Sequence, residues 1–285
     1  MSAIVVKPVT ACVGAEVEGL DLTRPLSADE VGEVRAALLQ HLVLFFHDQD
    51  ITQEQHIAFA RNFGELSIPP LKTKYMERPE ITVLDQVKPQ GEGADQWHND
   101  NTFMADPPMG SILKAEILPP LGGDTCFANM YAAYDALSPP LKTLVDSLTA
   151  VHDITRPLGK AIRDGHSTAD LAEMQQAYPP VEHPVVLTHP ETGRKALYVN
   201  RNSTVYLKGV TERESELLLP FLCDHVRSPD YQCRFRWRKH SIAFWDNRCL
   251  QHFAVPDYSE RRVMQRVTIK ERMTASACPP ERYRA

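Results

Sequence analysis

Arg262-Val263-Met264-Gln265-Arg266-Val267-Thr268-Ile269 alternates with a period of two. As a strand it puts Arg262, Met264, Arg266 and Thr268 on one face, and Val263, Gln265, Val267 and Ile269 on the other. If the arginine face points into a barrel, two guanidinium groups lose water and each needs an anionic partner. No acidic residue alternates with them on this strand, so anions supplied by ligands would meet that need. The plainer reading is an edge strand with Arg262 and Arg266 in solvent, as Arg261 beside them is expected to be.

Working outward, the C-terminal third reads as further strands, Cys233 to Trp237 and Ser241 to Trp245. Leu42-Val43-Leu44-Phe45-Phe46 is an apolar run of strand length, expected to be buried on both faces. Ile81 to Leu84 and Ser111 to Ala115 are strands, and Gly122-Gly123-Asp124-Thr125 is a turn leading into another. Pro190-Glu191-Thr192-Gly193 joins Val185–Leu187 to Ala196–Val199 as a hairpin. Three capping boxes open helices at Ser27, Thr52 and Thr211. The first is expected to run to about Gln40 and the second through Phe63 to Gly64. On the third, Leu217, Leu218, Phe221 and Leu222 should form the apolar face, with a kink at Pro220. Tyr131 to Leu137 and Pro140 to Leu148 are shorter helices, the latter capped by Ser138, while Arg156 to Pro180 is polar and irregular. Many strands with a few covering helices give a mostly β, α+β fold with a double-stranded β-helix core of the jelly-roll or cupin-like kind.

No repeat, low-complexity tract or Gly/Ser linker divides the 285 residues, so residues 1–285 are expected to form one domain, with 156–180 a lid segment. Hydrophobic residues at 43% and charged residues at 24% are enough for a sizeable core. The formal net charge of −6 argues against a nucleic-acid partner. Met1 to Lys7 is too short and too soon interrupted for a signal peptide, and Ala36 to Phe46 is far short of a membrane span. Six scattered cysteines without a C-x-x-C pair read as structural thiols of a cytoplasmic protein. Oligomeric state stays open, a dimer or tetramer included.

Trp97-His98-Asn99-Asp100 carries the chemistry. In an extended strand His98 and Asp100 leave the same face and offer two ligands to a divalent metal. His252, in Gln251-His252-Phe253, is the candidate third. Two His and one carboxylate suit non-haem Fe(II), with open positions for substrate and dioxygen. His-x-Asp alone is weak, because surface polar pairs of this kind are common.

Together, Trp97 to Asp100, Gly122 to Thr125, Trp245-Asp246-Asn247-Arg248 with His252, and Arg261 to Arg266 resemble the taurine dioxygenase family of Fe(II)- and 2-oxoglutarate-dependent oxygenases. The resemblance runs from Gly14-Ala15-Glu16-Val17 to Thr268-Ile269. It implies that His98, Asp100 and His252 bind Fe(II), and that 2-oxoglutarate chelates the metal with its distal carboxylate on Arg262 and Thr125. It implies that Arg266, with Asn101 and Ser203, meets an anionic substrate, which dioxygen hydroxylates at a carbon next to a heteroatom. Sulfonates of the taurine kind come first, with alkyl sulfates and aryloxyalkanoates as alternatives. The departures lie near that pocket. Pro69 stands where taurine oxidisers have a histidine, Ala94-Asp95-Gln96 where they have an asparagine, and Ser203 where they have an aromatic ring. Pro69-Pro70-Leu71-Lys72 and Asp257-Tyr258 look closer to the branch acting on aryloxyalkanoates.

His47, His152 (placed at a helix end) and His189 are expected to be hydrogen-bonded structural residues, and Trp237 and Trp245 to be core. Cys249 is expected to pack rather than ligate, since a thiolate would fill a position that dioxygen needs. Two other classes compete: a non-catalytic metal-binding cupin-like module, and a zinc hydrolase, since two His and an Asp with water also suit Zn²⁺. Neither uses Arg262 and Thr125.

Overall fold

The structure, a computed structural model, describes residues 4–68, 78–87, 96–163 and 167–270. Pro69, Pro70, Leu71, Lys72, Ala94, Asp95, Cys278 and the loop before the metal motif lie outside the described residues. Eight strands form the main sheet, in lateral order Val5–Pro8, Ala15–Glu18, Val43–Phe46, Ile242–Asp246, Gly110–Ile117, Arg262–Ile269 and Leu66–Ser67. Ile81–Gln86 also pairs with Arg262–Ile269. A second sheet of three strands, Gln232–Phe235, Thr125–Asn129 and Leu250–Ala254, packs across from it.

Strand Arg262–Ile269 is paired along both sides, by Gly110–Ile117 and by Ile81–Gln86. The edge-strand reading is therefore excluded. Its two faces bury into different clusters, as the alternation requires. Met264 joins Phe45, Leu113, Ala115, Ala243, Trp245 and Phe127 between the two sheets. Val267 and Ile269 join Leu44, Phe46, Ile112 and Phe244 on the outer face, under the helices Ala28–His41 and Gln53–Arg61. Both arginines thus point between the sheets. Strand Val43–Phe46 is buried throughout because it lies between these two layers.

The three capping boxes form with both reciprocal bonds, at Ser27/Glu30, Thr52/Gln55 and Thr211/Glu214. Other expectations need correction. The second helix ends at Arg61, because Asn62 caps it and Phe63 turns back onto the Ala60 carbonyl. Ser138 sits at its helix start without a side-chain bond. His152 ends a strand, Thr149–His152, not a helix. Residues 156–180 are largely helical where described, in Thr155–Arg163 and Leu171–Ala177, the latter capped by Asp170. Helix Glu212–His225 runs through Pro220, but its buried residues are Ser215, Leu219, Leu222 and Cys223. Leu217 and Phe221, expected inside, are 71% and 47% exposed. Residues 217, 221 and 222 cannot all face one neighbour on a 3.6-residue turn, and packing against strand Thr204–Lys208 selected Leu219 and Leu222.

No helix among the described residues is long and apolar enough to cross a membrane. Cys12, Cys126, Cys223, Cys233 and Cys249 are free thiols.

Candidate metal centre and anion pocket

His98, Asp100 and His252 are buried together, their ligand atoms all within 4.8 Å of one another. The convergence does not come from a continuous strand. His98 and His252 form an isolated antiparallel bridge, with backbone bonds of 3.1 and 2.9 Å between them. The chain then turns at Asp100 and Asn101, the latter left-handed at φ 51°. His98 Nε2 and His252 Nε2 stand 4.0 and 3.9 Å from Asp100 Oδ1. Two metal–ligand bonds of about 2.0–2.2 Å span such a gap. His98 Nδ1 lies 2.7 Å from the Gln96 carbonyl, which assigns the proton to Nδ1 and leaves the Nε2 lone pair facing Asp100. Burial, followed by the neighbouring His98, pushes His252 down to about 3, so it is neutral, as a ligand must be.

Burial works against ionised Asp100, but Arg266, then His252, His98 and Ser111, hold its carboxyl down at about 2. Ser111 Oγ donates to Asp100 Oδ2 at 2.8 Å and Arg266 Nη1 to Oδ1 at 2.7 Å. Sequence reasoning left Arg266 needing a ligand anion for lack of an acid on its own strand. The carboxylate comes from elsewhere in the chain, yet the buried Arg266 Nε still has no partner among the described residues.

Two residues absent from the sequence-level assignment fix Asp100. Asn247 Oδ1 accepts from the Asp100 amide at 2.6 Å, and its Nδ2 donates to the carbonyls of Asp100 and Pro108 at 3.0 and 3.1 Å. Asn99 Nδ2 returns two bonds, to the Asn247 and Leu250 carbonyls. The two ligand-bearing segments are thereby stitched together. The signal was present in the Trp245-to-His252 motif, where Asn247 stood without a role.

Arg262 is 6% exposed, and burial pulls its guanidinium below its usual value. Nε donates to the Gly123 carbonyl at 3.1 Å, the rings of Trp237 and Tyr258 lie 6.0 and 5.9 Å away, and Nη2 has no partner among the described residues. Gly123 is at φ 75°, and a Cβ there would come within 3.1 Å of the Arg262 side chain, so this turn and this arginine require glycine. Trp237 Nε1 donates to Thr125 Oγ1 at 2.9 Å, which leaves the Thr125 hydroxyl hydrogen to be given elsewhere. Trp237 is therefore more than core. The donor set fits a carboxylate beside Arg262: a buried, underpartnered guanidinium and a hydroxyl with its proton to offer.

Ser203 is buried; its amide donates to Asn200 Oδ1 and its carbonyl accepts from the Asp153 amide. Asn200 in turn reaches Thr102 on the turn after Asp100, so Ser203 is tied to the site's rim and not to the three metal-set residues. Phe103 and Met104 on that turn pack with Leu158, Ile162 and Met174 of the 155–177 helices. Of the histidines expected to be structural, His47 bonds Ser241 and Glu16, and His152 bonds Thr102 and Thr204. His189, Asp246 and Cys249 form a second buried group of possible ligand atoms. Both Asp246 oxygens are already taken, by Arg248 and by His189 Nε2 at 3.0 Å, so it is a structural ion-pair network. Trp245 is core, its ring 4.7 Å from that of His252. Arg261 pairs with Asp85 at the surface.

A two-sheet β core of the jelly-roll class thus brings together two imidazoles and one carboxylate that could hold a divalent metal, with two inward arginines beside them. The chain belongs to the taurine catabolism dioxygenase TauD, TfdA family, whose family model matches residues 6–268. It is 35% identical over 270 residues to the alpha-ketoglutarate-dependent sulfate ester dioxygenase of Pseudomonas putida, covering 93% of this chain and 88% of that one. It is 35% identical over 282 residues to the (S)-phenoxypropionate/alpha-ketoglutarate-dioxygenase of Sphingobium herbicidovorans, covering 91% and 92%. Among solved structures, a taurine dioxygenase from Burkholderia xenovorans superposes with a TM-score of 0.81 at 39% identity, covering 94% of this chain and 90% of that one. AAD-2 in complex with Mn(II) and N-oxalylglycine gives 0.79 at 33% identity, covering 94% and 97%. The protein is accordingly an alpha-ketoglutarate-dependent dioxygenase of this family.

Proposed function

We propose that the protein uses Fe(II), 2-oxoglutarate and dioxygen to hydroxylate a carbon next to a heteroatom in a small anionic organic substrate. Sulfonates and sulfate esters come first and aryloxyalkanoates second. The observation that carries the reading is the buried convergence of His98, Asp100 and His252 beside a strand whose two arginines face inward. When bound, the metal would supply activation of dioxygen at the expense of 2-oxoglutarate decarboxylation.

The chain's residues do the rest. His98, Asp100 and His252 would hold the metal on one side. Arg262 and the Thr125 hydroxyl would take the distal carboxylate of 2-oxoglutarate, the planar fork setting orientation as well as charge. Arg266 would take the substrate anion through the edge that Asp100 leaves free, with Asn101 and Ser203 at the rim. Helices Thr155–Arg163 and Leu171–Ala177 would cover the opening and exclude water. The free thiols among the described residues support a reducing compartment, the cytoplasm, and the net charge of −6 supports a dissolved small anion over nucleic acid. On this reading residues 1–285 form one catalytic domain.

The test is a panel of taurine, longer alkyl sulfonates, alkyl sulfates and phenoxyalkanoates, read by succinate release. Small Ser203 and the loss of a donor at Pro69 favour a bulkier anion that competes with taurine. Taurine better than all others by about tenfold or more would refute that reading of pocket size, since an extra methylene is worth about that much. No succinate with any anion would refute the reaction.

A further inference from the structure

Strand Ile81–Gln86 carries a hydroxyl that nothing described so far uses. Thr82 is directly opposite Arg266 in the antiparallel register, and Leu84 is opposite Met264. Ile81 and Val83 belong to the outer cluster under the helices, and Leu84 packs on the inner one, so Thr82 faces inward with Arg266. Opposed residues of this kind have Cβ atoms about 4.5–5.5 Å apart. Thr82 is 5% exposed and its Oγ1 has no hydrogen-bond partner among the described residues. The adjacent Arg266 Nε is buried and equally unpartnered. Two neighbouring donors on one inner face, beside the Asp100 carboxylate and without a protein partner among the described residues, are placed for a ligand that accepts from both.

We propose that the Thr82 hydroxyl is a specificity-determining donor, giving a hydrogen bond to the third oxygen of a tetrahedral oxyanion whose other oxygens rest on Arg266. That oxyanion is the SO₃ head of a sulfonate or sulfate ester. This rests on the reading of Arg266 as the substrate's anion holder. A carboxylate seated in the plane of a guanidinium fork has no third oxygen for Thr82 and can offer it only a second lone pair on an oxygen already bonded. The hydroxyl therefore selects sulfur oxyanions over carboxylates.

The experiment is Thr82→Val in the full-length, Fe(II)-loaded enzyme, with Thr82→Ser as the variant that keeps the donor. KM for an alkyl sulfate and an alkyl sulfonate should rise about tenfold in Thr82→Val, with kcat within about twofold, the KM for 2-oxoglutarate unchanged, and Thr82→Ser close to wild type. The melting temperature of the ligand-free Thr82→Val protein should hold or rise, because a buried unpaired hydroxyl is removed. A structural hydroxyl would instead lower it. Unchanged KM, a lower melting temperature, or a rise in the 2-oxoglutarate KM in place of the substrate's overturns the proposal. So does a wild-type enzyme that turns over only carboxylates. Arg266→Ala separates the two levels. If it raises the substrate KM while Thr82→Val does not, Thr82 alone is wrong; if it changes nothing, the reading of Arg266 fails first.

Discussion

Replacing Asn247 by alanine should loosen the metal centre without touching any ligand. The Asn247 side chain makes three buried bonds, at 2.6, 3.0 and 3.1 Å, and two of them hold the amide and carbonyl of Asp100. Each is worth about 1 kcal/mol net, and the buried Asp100 amide left without an acceptor adds about 1–3 kcal/mol more. The expected loss of folding stability is thus about 4–6 kcal/mol, with Asp100 no longer fixed against His98 and His252. Affinity for the metal should fall about 10- to 100-fold, as it does when outer partners of ligands are removed. Asn247→Asp keeps the acceptor for the Asp100 amide but sets a carboxylate oxygen against two carbonyls, so it should rescue little. The assay is denaturant unfolding of the metal-free protein combined with a Mn(II) titration followed by calorimetry. A stability change under about 1 kcal/mol, or Mn(II) affinity unchanged in a protein destabilised as expected, would refute the clamp.

Arg262→Gln should raise the KM for 2-oxoglutarate by about 30- to 1000-fold, or about 2–4 kcal/mol, because a charge-assisted pair is lost and the carboxylate is left underpaired; an unchanged KM would show that Arg262 does not meet it. Trp237→Phe keeps a ring beside Arg262 but removes the donor to Thr125, so the KM for 2-oxoglutarate should rise about 3- to 10-fold with kcat nearly unchanged. Stability should fall on acidification. Burial pushes both His56 and His152 from 6.5 to about 3, so the unfolded chain takes up protons there that the folded chain refuses. Their contribution is fully present above about 6.5 and is lost as pH drops towards about 3, at up to about 1.4 kcal/mol per unit for each histidine. Urea unfolding at pH values across that window checks it, and a flat profile in wild type, or a slope unaltered in His56→Leu, contradicts it.

How much of this was legible in the sequence depended on range. Capping boxes at Ser27, Thr52 and Thr211 were readable because both partners lie three residues apart. The alternation of Arg262, Met264 and Arg266 was readable for the same reason, since a strand fixes its own faces. What those faces meet was not. Asp100 reaches Arg266 across 166 positions and Asn247 across 147. Strand Leu250–Ala254, which carries His252, exists as a strand because Thr125–Asn129 pairs with it. Leu217 and Phe221 mimic a core stripe that tertiary packing leaves in solvent. The family resemblance supplied the long-range links for the ligands and for Arg262, but not for Asn247 and Trp237, whose parts are visible only in their bonds, or for Thr82, whose placement opposite Arg266 is visible only in the strand register.

The most direct measurement is the anaerobic visible spectrum of the protein with Fe(II) as 2-oxoglutarate is added, for wild type and for Asp100→Ala. The account predicts a weak charge-transfer band in the wild type from chelation of the metal by the co-substrate, and none in the folded variant. A well-folded wild-type protein without the band, or an Asp100→Ala protein with an undiminished one, would contradict the assignment of His98, Asp100 and His252 as the iron site.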